Sequence, residues 1–426
     1  MPRLAPPRVT RALAGLARPP VRHSSSAARA LVINAGSSSI KYGLFDLGSS
    51  KEPLVTGLVE QIGLPGSCIN HTGEDGVKQR TDETLPDHAV ALQRVVDLLT
   101  TKGGPVATVE EIDVVGHRVV HGGATMTTPT LVTDEVEAAI EAVVPLAPLH
   151  NPANLIGIRK ARGIFPAPHI AVFDTAFHAT MPAESYTYAV PRELTEKHGV
   201  RRYGFHGTSY TYVLDKVSEH LSRPKESLNV IMCHLGSGAS MAAVARGKCV
   251  DTTMGMTPLE GLVMGTRAGD IDAGVVSFLV SGKLGYSMAE VDTLLNKQSG
   301  LKGMAGIGSS DWRVVRQAAA DGDANAILAR KVFVERIRKY VGAYMVKLGG
   351  EVDAIVFTGG IGENDPALRE AVCANLSTLG VAIDADKNGQ GLVEVQASSA
   401  RVRTLVVPTN EELCLATQAA QAVGLI

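Results

Sequence analysis

The chain has 426 residues, which is long enough for two domains with substantial cores. Its 45% hydrophobic and 20% charged residues are typical of a globular enzyme. The formal net charge of −2 gives no support to a nucleic-acid-binding protein, and no uninterrupted apolar run reaches transmembrane length, so we expect neither nucleic acid nor a membrane as a partner. The cysteines are odd in number and lack metal-binding spacing, which predicts free thiols.

The first 29 residues differ from the rest in composition. They contain repeated arginines with serine and alanine, and the first acidic residue of the chain is Asp46. This composition predicts an organelle transit peptide over residues 1–29, mitochondrial in first place and chloroplast as the alternative. A basic tail that stays on the protein is the other reading.

Residues 31–46 predict a β-hairpin with an unusual turn. An apolar run enters the turn at residues 34–39, NAGSSS, and the chain leaves as an alternating strand over residues 40–45. Such a turn offers backbone N–H groups and hydroxyls to an anion, and Lys41 adds a positive charge suited to phosphate.

The same pattern returns at residues 230–247, where Gly236 and Ser237 match Gly36 and Ser37. Either hairpin alone would be interpreted as an ordinary one whose glycine permits the turn. Together with Lys41, the repeat instead indicates two related domains that face one ligand, for which a polyphosphate is the natural choice.

Strand-like and helical patterns alternate along the chain, which indicates an α/β fold. In chain order they predict a strand over 112–115, a helix over 133–144, a helix capped by Asn151 and running to about 161, a strand over 170–173, a helix over 209–221, a long helix over 323–348 ended by Gly349 and Gly350, a strand over 354–357 and a helix from about 366. A domain boundary is expected soon after Asp174.

Four charged or titratable residues stand in glycine-rich segments near predicted strand ends, where α/β enzymes place their ligands. They are Arg118 in GHRVVHGG, Asp174 in VFDTAFHATMP, His206 in RRYGFHGTSY and Arg267 in GLVMGTRAGDIDAG. Each alone has an ordinary structural explanation, as a helix cap, a buried polar group or a surface ion pair. Together, and beside two phosphate-type turns, they favour phosphoryl transfer, which depends on positioned cations. The chain lacks a P-loop and the protein-kinase motifs.

From about residue 31 to about residue 415 the ordered motifs resemble those of the acetate kinase family. They are NAGSSSIKYGLFD, GHRVVHGG, PLAPLHNPAN, VFDTAFHATMP, RRYGFHGTSY, HLGSGAS, TPLEGLVMGTRAGDID, FTGGIGEN and PTNEEL. The resemblance implies an α/β fold of two duplicated RNase H-like, actin-like ATPase domains with an interdomain cleft. The expected domains are 30–178 and 179–410, with segment 411–426 packing back on the first.

The resemblance also implies the reaction. It is the reversible, in-line transfer of the ATP γ-phosphoryl group to acetate, giving acetyl phosphate and ADP, with Mg²⁺ as the cofactor and Mn²⁺ as an alternative metal. The implied partners are a second copy of the chain in a homodimer and, functionally, a phosphotransacetylase.

Site residues follow from the same motifs. The implied catalytic residues are Asp174, Arg118, Arg267 and His206. The implied substrate-binding residues are Arg118, Val120, Leu149, His150, Phe205 and Pro258, the four apolar ones forming a small pocket for the methyl group of acetate. The implied nucleotide-binding residues are Ser37, Ser39, Lys41, His234, Leu235, Gly236, Ser237, Gly238, Asp311, Trp312, Arg313, Gly360, Ile361, Gly362, Glu363 and Asn364. The implied metal-binding residues are Asn34 and Glu411.

One position departs from the family pattern. The second hairpin reads HLGSG, where bacterial members commonly have HLGNG, so Ser237 replaces an asparagine. Serine cannot offer an amide N–H₂, and we expect altered nucleotide affinity with activity retained. The intact GGIGEN segment favours ATP over pyrophosphate as the phosphoryl donor.

Three other functions share part of this pattern. A propionate kinase shares nearly all these motifs, and one methylene in an apolar pocket changes specificity by only about 1–3 kcal/mol, although Val120 favours acetate. A non-catalytic nucleotide-binding regulator would be expected to have lost an arginine, Asp174 or His206. An actin-type filament protein would not need two arginines directed into the cleft.

Overall fold

The computed structural model describes residues 28–282 and 284–426. Most of the predicted transit peptide lies outside these residues, but its last position does not. Arg29 begins the first strand, its backbone N–H donates to Asp113 at 2.8 Å, and its side chain pairs with Glu111. Arg29, the last residue of the predicted transit peptide, is therefore part of the first strand of the folded domain.

The N-terminal half forms an eight-stranded sheet. Its strands are β1 Arg29–Ala35, β2 Ile40–Asp46, β3 Pro53–Glu60, β4 Cys68–Thr72, β5 Lys78–Asp82, β6 Val114–Val119, β7 Thr130–Leu131 and β8 His169–Phe173. They lie in the order β5-β4-β3-β2-β1-β6-β8-β7. Strands β1 to β5 form an antiparallel meander, and β6 and β8 run parallel to β1. The helices of this half are α1 His88–Thr100, α2 Asp134–Ala142 and α3 Asn151–Arg162.

The C-terminal half repeats this topology. Its strands are β9 Val230–Leu235, β10 Ala239–Ala245, β11 Lys248–Thr252, β12 Ala354–Thr358 and β13 Arg403–Val406, in the order β11-β10-β9-β12-β13. Strands β9, β10 and β11 are antiparallel neighbours, and β12 and β13 run parallel to β9. Since β3-β2-β1-β6-β8 has the same order and directions, the duplication predicted from the two hairpins is confirmed.

Helices surround the second sheet and link it to the first. They are α4 Ala183–Tyr186, α5 Arg192–His198, α6 Gly207–Leu221, α7 Gly274–Ser281, α8 Met288–Thr293, α9 Gly300–Ala305, α10 Trp312–Ala320, α11 Ala324–Lys347, α12 Gly359–Asn364, α13 Pro366–Cys373, α14 Ala385–Gly389 and α15 Glu411–Ala422. None of the helices in the described part of the chain has both the length and the apolar character needed to cross a bilayer.

The last helix, α15, packs on the N-terminal sheet. Its Leu415, Ala416 and Ala419 are buried in one cluster with Val32 and Val114 of that sheet. A Cβ on Gly116 in β6 would lie 3.2 Å from the Ala419 Cβ, so only glycine lets the helix approach the strand this closely. The contact places the first turn of α15 beside the ends of β1 and β6.

Two predicted element boundaries were wrong. The strand predicted at 112–115 begins at Val114 and runs on to Val119, because residues 109–111 form a 3₁₀ turn whose last N–H bond is donated by Ile112. Arg118 therefore lies inside β6 and not beyond it. Asn151, predicted as a helix cap, is the first residue of α3, and His150 is the cap.

Candidate active site

The two hairpin turns lie at the ends of β1 and β9. In the first, the Gly36 N–H donates to the Ser39 carbonyl at 2.7 Å, and the His88 Nε2 donates to the Gly36 carbonyl at 2.8 Å. In the second, the Gly236 N–H donates to the Gly238 carbonyl at 3.1 Å. Both turns are stabilised by hydrogen bonds between their own backbone groups. The exposed Ser37 and Ser237 hydroxyls are therefore not needed to hold the turns.

Lys41 does not stand free beside the first turn. Its ammonium forms an ion pair with Glu412 in the first turn of α15, and about half of its side chain is exposed. A phosphate contact from Lys41, as predicted, has to share or displace this pair.

Arg118 and Asp174 are joined by neighbouring parallel strands. Arg118 lies in β6 opposite Val172 of β8, and Asp174 follows the end of β8. The guanidinium donates from Nε to both carboxylate oxygens at 3.1 Å and from Nη2 to Oδ2 at 2.6 Å. Thr208 donates to Oδ1 at 3.2 Å, and the carboxylate is 1% exposed. The pair fixes the arginine while its Nη1 keeps no hydrogen-bond partner within the described chain.

Arg267 is the second cation of the site, and it has no counter-ion among the described residues. It donates from Nη1 to the Pro258 carbonyl at 3.1 Å, and no carboxylate of the described residues lies within ion-pairing distance. Burial lowers the pKa of its guanidinium, although not far enough to discharge it. A half-buried, uncompensated cation favours binding of an anion.

His206 meets Arg267 at the second turn. It precedes α6 with a left-handed backbone, φ +60°, which is strained for a residue other than glycine. A Cβ placed on Gly238 would be 3.3 Å from His206 Nε2 and 3.6 Å from Arg267 Nη1. The ring stacks on His234 with centroids 4.2 Å apart. Burial, followed by the influence of His234 and Arg118, lowers the pKa of His206 well below its ordinary value, so the imidazole is neutral.

Two more predicted residues belong to the same electrostatic neighbourhood. Burial, and then the charges of Arg267 and Arg118, lower the pKa of His150. Burial and the nearby Asp174 carboxylate raise the pKa of Glu411, while Arg118 opposes the rise. His150 and Glu411 therefore lie around the Arg118–Asp174 pair. Asn34 is half-buried near the end of β1.

The predicted methyl pocket is only partly assembled. Val120 and Phe205 are 7% and 2% exposed and belong to one buried cluster with Met254 and Met264. Pro258 is half-buried and accepts the Arg267 hydrogen bond through its carbonyl. Leu149 is 50% exposed and lies outside that cluster.

Helix α12, which carries five of the residues predicted to bind nucleotide, begins directly against β9. Gly359 has φ +77°, and a Cβ there would lie 2.8 Å from the Leu235 carbonyl oxygen, so another residue would both strain and clash. Glu363 accepts from the backbone N–H groups of Gly359 at 2.8 Å and Thr409 at 3.1 Å. Its carboxylate is thus a structural brace, while Gly360 and Asn364 are exposed and Ile361 and Gly362 are buried.

The segment 311–313 begins helix α10 and places its three predicted nucleotide-binding residues in different surroundings. Asp311 caps α10 and pairs with Arg313, the Nη2–Oδ2 distance being 2.6 Å. Trp312 is a core residue, with its ring 5.1 Å from that of Phe333 and its Nε1 donating to Asp365 at 2.5 Å. The indole of Trp312 is therefore part of the core, with the residue 6% exposed, whereas Asp311 and Arg313 lie nearer the surface.

Several residues that organise the site were missed. Asn154 accepts from the Val120 N–H at 3.1 Å and donates to the Ala35 carbonyl at 2.8 Å, which ties the ends of β6 and β1 together. Tyr210 and Ser240 stand behind His206. A signal for Tyr210 was present in HGTSY, where three hydroxyl residues follow His206 and Gly207, and Ser240 ends the HLGSGAS segment.

The comparisons with known proteins agree on one family. Residues 29–417 match the model of the acetokinase family. The acetate kinase of Halothermothrix orenii is 49% identical, the alignment covering 92% of this chain and 99% of that one, and the acetate kinase of Leifsonia xyli is 51% identical, covering 92% and 98%. The crystal structure of Porphyromonas gingivalis acetate kinase superposes with a TM-score of 0.87 at 43% identity over 93% of this chain and 99% of that one. A propionate kinase from Francisella tularensis gives 0.87 at 42% identity over 92% and 99%.

Proposed function

This chain belongs to the acetokinase family, and we propose that it transfers the γ-phosphoryl group of ATP reversibly to acetate, giving acetyl phosphate and ADP. The observation that carries the proposal is Arg267, a half-buried cation without a carboxylate partner in the described chain, facing His206 across the second turn. Two anions, a carboxylate and a triphosphate, must meet for this reaction. Positioned arginines offset their repulsion.

The reaction needs no general base. Acetate is ionised near neutral pH, so its oxygen can attack the γ-phosphorus directly while the bond to the β-phosphate oxygen breaks and ADP leaves. We assign Asp174 the task of orienting Arg118, whose remaining Nη1 faces the substrates. Arg118 and Arg267 stabilise the charge on the migrating group, and neutral His206 donates a hydrogen bond to it.

We propose that Asn34 and Glu411 hold Mg²⁺, with Mn²⁺ as an alternative. Oxygen donors such as the Asn34 amide and the Glu411 carboxylate suit this ion, and burial together with the nearby Asp174 carboxylate raises the pKa of Glu411, a neighbourhood that a divalent cation would neutralise. The described residues contain no cluster of three or more His, Cys, Asp or Glu side chains suited to a metal. Mg²⁺ needs only one or two protein carboxylates when phosphates and water complete its shell, and it neutralises phosphate charge when bound.

We assign the two turns to the phosphates of the nucleotide. Ser37, Ser39 and Lys41 serve the first turn, and residues 234–238 serve the second. The adenosine side falls to α12 and to Asp311 and Arg313, since the Ser310 carbonyl and the Ser237 hydroxyl both lie beside Gly265.

Propionate is the second candidate acceptor. Val120 and Phe205 close one side of the pocket, whereas Leu149 is half exposed and does not seal the other. A single methylene changes specificity by about 1–3 kcal/mol, so acetate is expected to be preferred and propionate to be used.

We further propose a homodimer that covers helix α7. This helix has no buried residue, and Val275, Phe278 and Val280 on it are exposed together with the nearby Leu284 and Met288. An apolar surface of this kind is unusual on a monomer and suits a second copy of the chain. We also propose functional coupling to a phosphotransacetylase, because that enzyme acts on the product, acetyl phosphate. From the composition of residues 1–29 we propose import into mitochondria, with chloroplasts as the alternative.

Trapping the product tests the reaction itself. With Mg-ATP, acetate and hydroxylamine, the protein should form acetohydroxamate, because hydroxylamine intercepts an acyl phosphate. Arg267→Ala is the matched control and should form little. Nucleotide binding without hydroxamate would contradict the proposal and favour a regulator.

A further inference from the structure

Two buried hydroxyls stand in line behind His206. The Ser240 Oγ lies 2.9 Å from His206 Nδ1, and the Tyr210 hydroxyl lies 2.5 Å from the same Ser240 Oγ. Tyr210 and Ser240 are both fully buried, at 0% exposure. The three groups form a chain that ends on the nitrogen facing away from the second turn.

The number of protons available determines which group donates in each of these hydrogen bonds. Neither Tyr210 nor Ser240 has another side-chain hydrogen-bond partner among the described residues. A backbone hydrogen bond from His234 opposes the rise in the pKa of Tyr210, as a donated N–H does, and so supplies no acceptor. If His206 Nδ1 carried the proton and donated to Ser240, either the tyrosine or the serine hydrogen would be left buried without an acceptor. An unsatisfied buried donor costs about 1–3 kcal/mol. Only one arrangement uses every proton: Tyr210 donates to Ser240, and Ser240 donates to Nδ1.

We propose that Tyr210 and Ser240 are positioning residues that lock His206 as the tautomer with its proton on Nε2. That nitrogen faces the second turn, where a Cβ on Gly238 would be 3.3 Å away and Arg267 Nη1 is close by. A neutral imidazole in this tautomer presents a permanent N–H donor to the place where the phosphoryl group moves.

The surroundings support a fixed ring. His234 stacks on His206 at an interplanar angle of 23°, and its own Nδ1 lies 2.8 Å from the Ser209 hydroxyl. Burial and the cations Arg118 and Arg267 lower the pKa of His206, so a second proton does not add to the ring near neutral pH. The ring therefore acts as a hydrogen-bond donor and not as a proton-transfer acid.

The inference rests on the proposed function for its purpose, since His206 must donate to the migrating phosphoryl group for the tautomer to matter. The tautomer itself can be observed without any substrate. Nitrogen-15 NMR of the histidine side chains distinguishes a protonated from a bare ring nitrogen, and a His206→Asn sample identifies the His206 signals.

In the unliganded full chain we expect Nε2 protonated and Nδ1 bare. Ser240→Ala and Tyr210→Phe should both mix the two tautomers, whereas Ser240→Thr should keep the wild-type pattern because it retains the hydroxyl. Ser209→Ala, which removes the serine behind the neighbouring His234, is the control and should leave the His206 tautomer unchanged. If one variant fails to fold, the other still decides the matter.

Steady-state kinetics test whether the fixed His206 tautomer contributes to catalysis. Ser240→Ala should lower kcat about tenfold while the KM values for ATP and acetate stay within about twofold, and Ser240→Thr should restore kcat. The inference would be overturned if His206 of the wild type carried its proton on Nδ1, or if its tautomer were unchanged in both Ser240→Ala and Tyr210→Phe. A changed tautomer with unchanged kcat would also overturn it. Failure of the wild type to form hydroxamate would instead overturn the proposed function, while leaving the tautomer result standing.

Discussion

Asp174 holds Arg118 through two nitrogens on one edge of its guanidinium, Nε at 3.1 Å and Nη2 at 2.6 Å, and leaves Nη1 for a ligand. The carboxylate accepts a further hydrogen bond from Thr208 at 3.2 Å and is buried. This geometry makes Asp174 an orienting group for a cation, and it gives no role to the carboxylate as a base toward an acceptor that is already ionised.

Replacing Asp174 with Asn should therefore lower kcat much more than it raises the KM for acetate. The amide keeps the size of the side chain but loses the charge that fixes Arg118, so transition-state stabilisation falls by roughly 3 kcal/mol, about a hundredfold in rate. Steady-state kinetics on the purified variant measures this. A large rise in the acetate KM with kcat intact would contradict the orienting role.

Replacing Arg118 or Arg267 with Lys should not preserve activity. An ammonium keeps the charge but loses the planar fork that contacts two oxygens at once, and we expect a loss of about 3 kcal/mol or more in transition-state stabilisation. Arg192→Lys is the matched control, since the Arg192 side chain is 86% exposed and pairs only with Glu196 on its own helix. Near-normal kcat/KM in Arg267→Lys would show that charge alone suffices there.

Ser237→Asn should change the KM for ATP and for ADP, in the direction of tighter binding, and leave the KM for acetate unaltered. Ser237 is exposed at the second turn, where its carbonyl accepts from the Gly265 N–H at 2.9 Å and its hydroxyl is free to face the nucleotide. An amide N–H₂ reaches further and adds a donor. Unchanged KM values for both nucleotides would refute a nucleotide role for this position.

The two sheets illustrate what the sequence can and cannot predict. The hairpins were predictable because an apolar run, a glycine-serine turn and an alternating strand are local patterns, and their repetition revealed the duplication. The start of β6 was not, because Ile112 is as apolar as the strand residues and only the 3₁₀ turn before it ends the pairing.

The contacts that individual side chains make could not be predicted from the sequence either. Trp312 stands in a segment that resembles a nucleotide-binding loop, yet it packs against Phe333 of the next helix, α11, and donates to Asp365, 53 residues further along the chain. Lys41 was predicted to contact phosphate, and the structure shows that it also pairs with Glu412 at the start of α15, which no local pattern near Lys41 indicates. Contacts of this kind depend on where remote parts of the chain meet, which no local pattern records.

Acidification should destabilise the protein through its buried histidines, of which His178 is the clearest. Burial lowers its pKa to about 4, and its Nε2 donates to the Phe205 carbonyl at 2.8 Å. Below the unfolded-state pKa of about 6.5 the unfolded chain takes up a proton that the native ring refuses, so stability present above that pH is lost as the pH falls toward 4.

At about pH 5 the loss from His178 amounts to about 2 kcal/mol. Urea unfolding of the wild type and of His178→Gln at about pH 7 and pH 5 measures it. The variant should be less stable at the higher pH but should lose less on acidification. His198→Gln, at an exposed position, is the control. Equal acid losses in the wild type and His178→Gln would contradict the assignment.

Phe278→Glu should dissociate the proposed dimer. Phe278 is 65% exposed at the centre of the uncovered face of α7, and a buried, unpaired carboxylate at an interface strongly disfavours association. Val346→Glu is the matched control, because Val346 is 81% exposed on α11 and is apolar as well. Light scattering should give a monomer mass for the first variant and a dimer mass for the second. A wild-type monomer would contradict the dimer.

The most direct test of the account is the acceptor preference of the purified chain. Initial rates with Mg-ATP and acetate, propionate or butyrate should give kcat/KM highest for acetate, lower for propionate and lowest for butyrate, because Val120 and Phe205 limit the space beside Arg118 and Arg267. Arg267→Ala should abolish transfer to all three. Transfer to none of the three acceptors by the wild type, with ATP still bound, would contradict the claim that the two arginines bring a carboxylate to the γ-phosphoryl group.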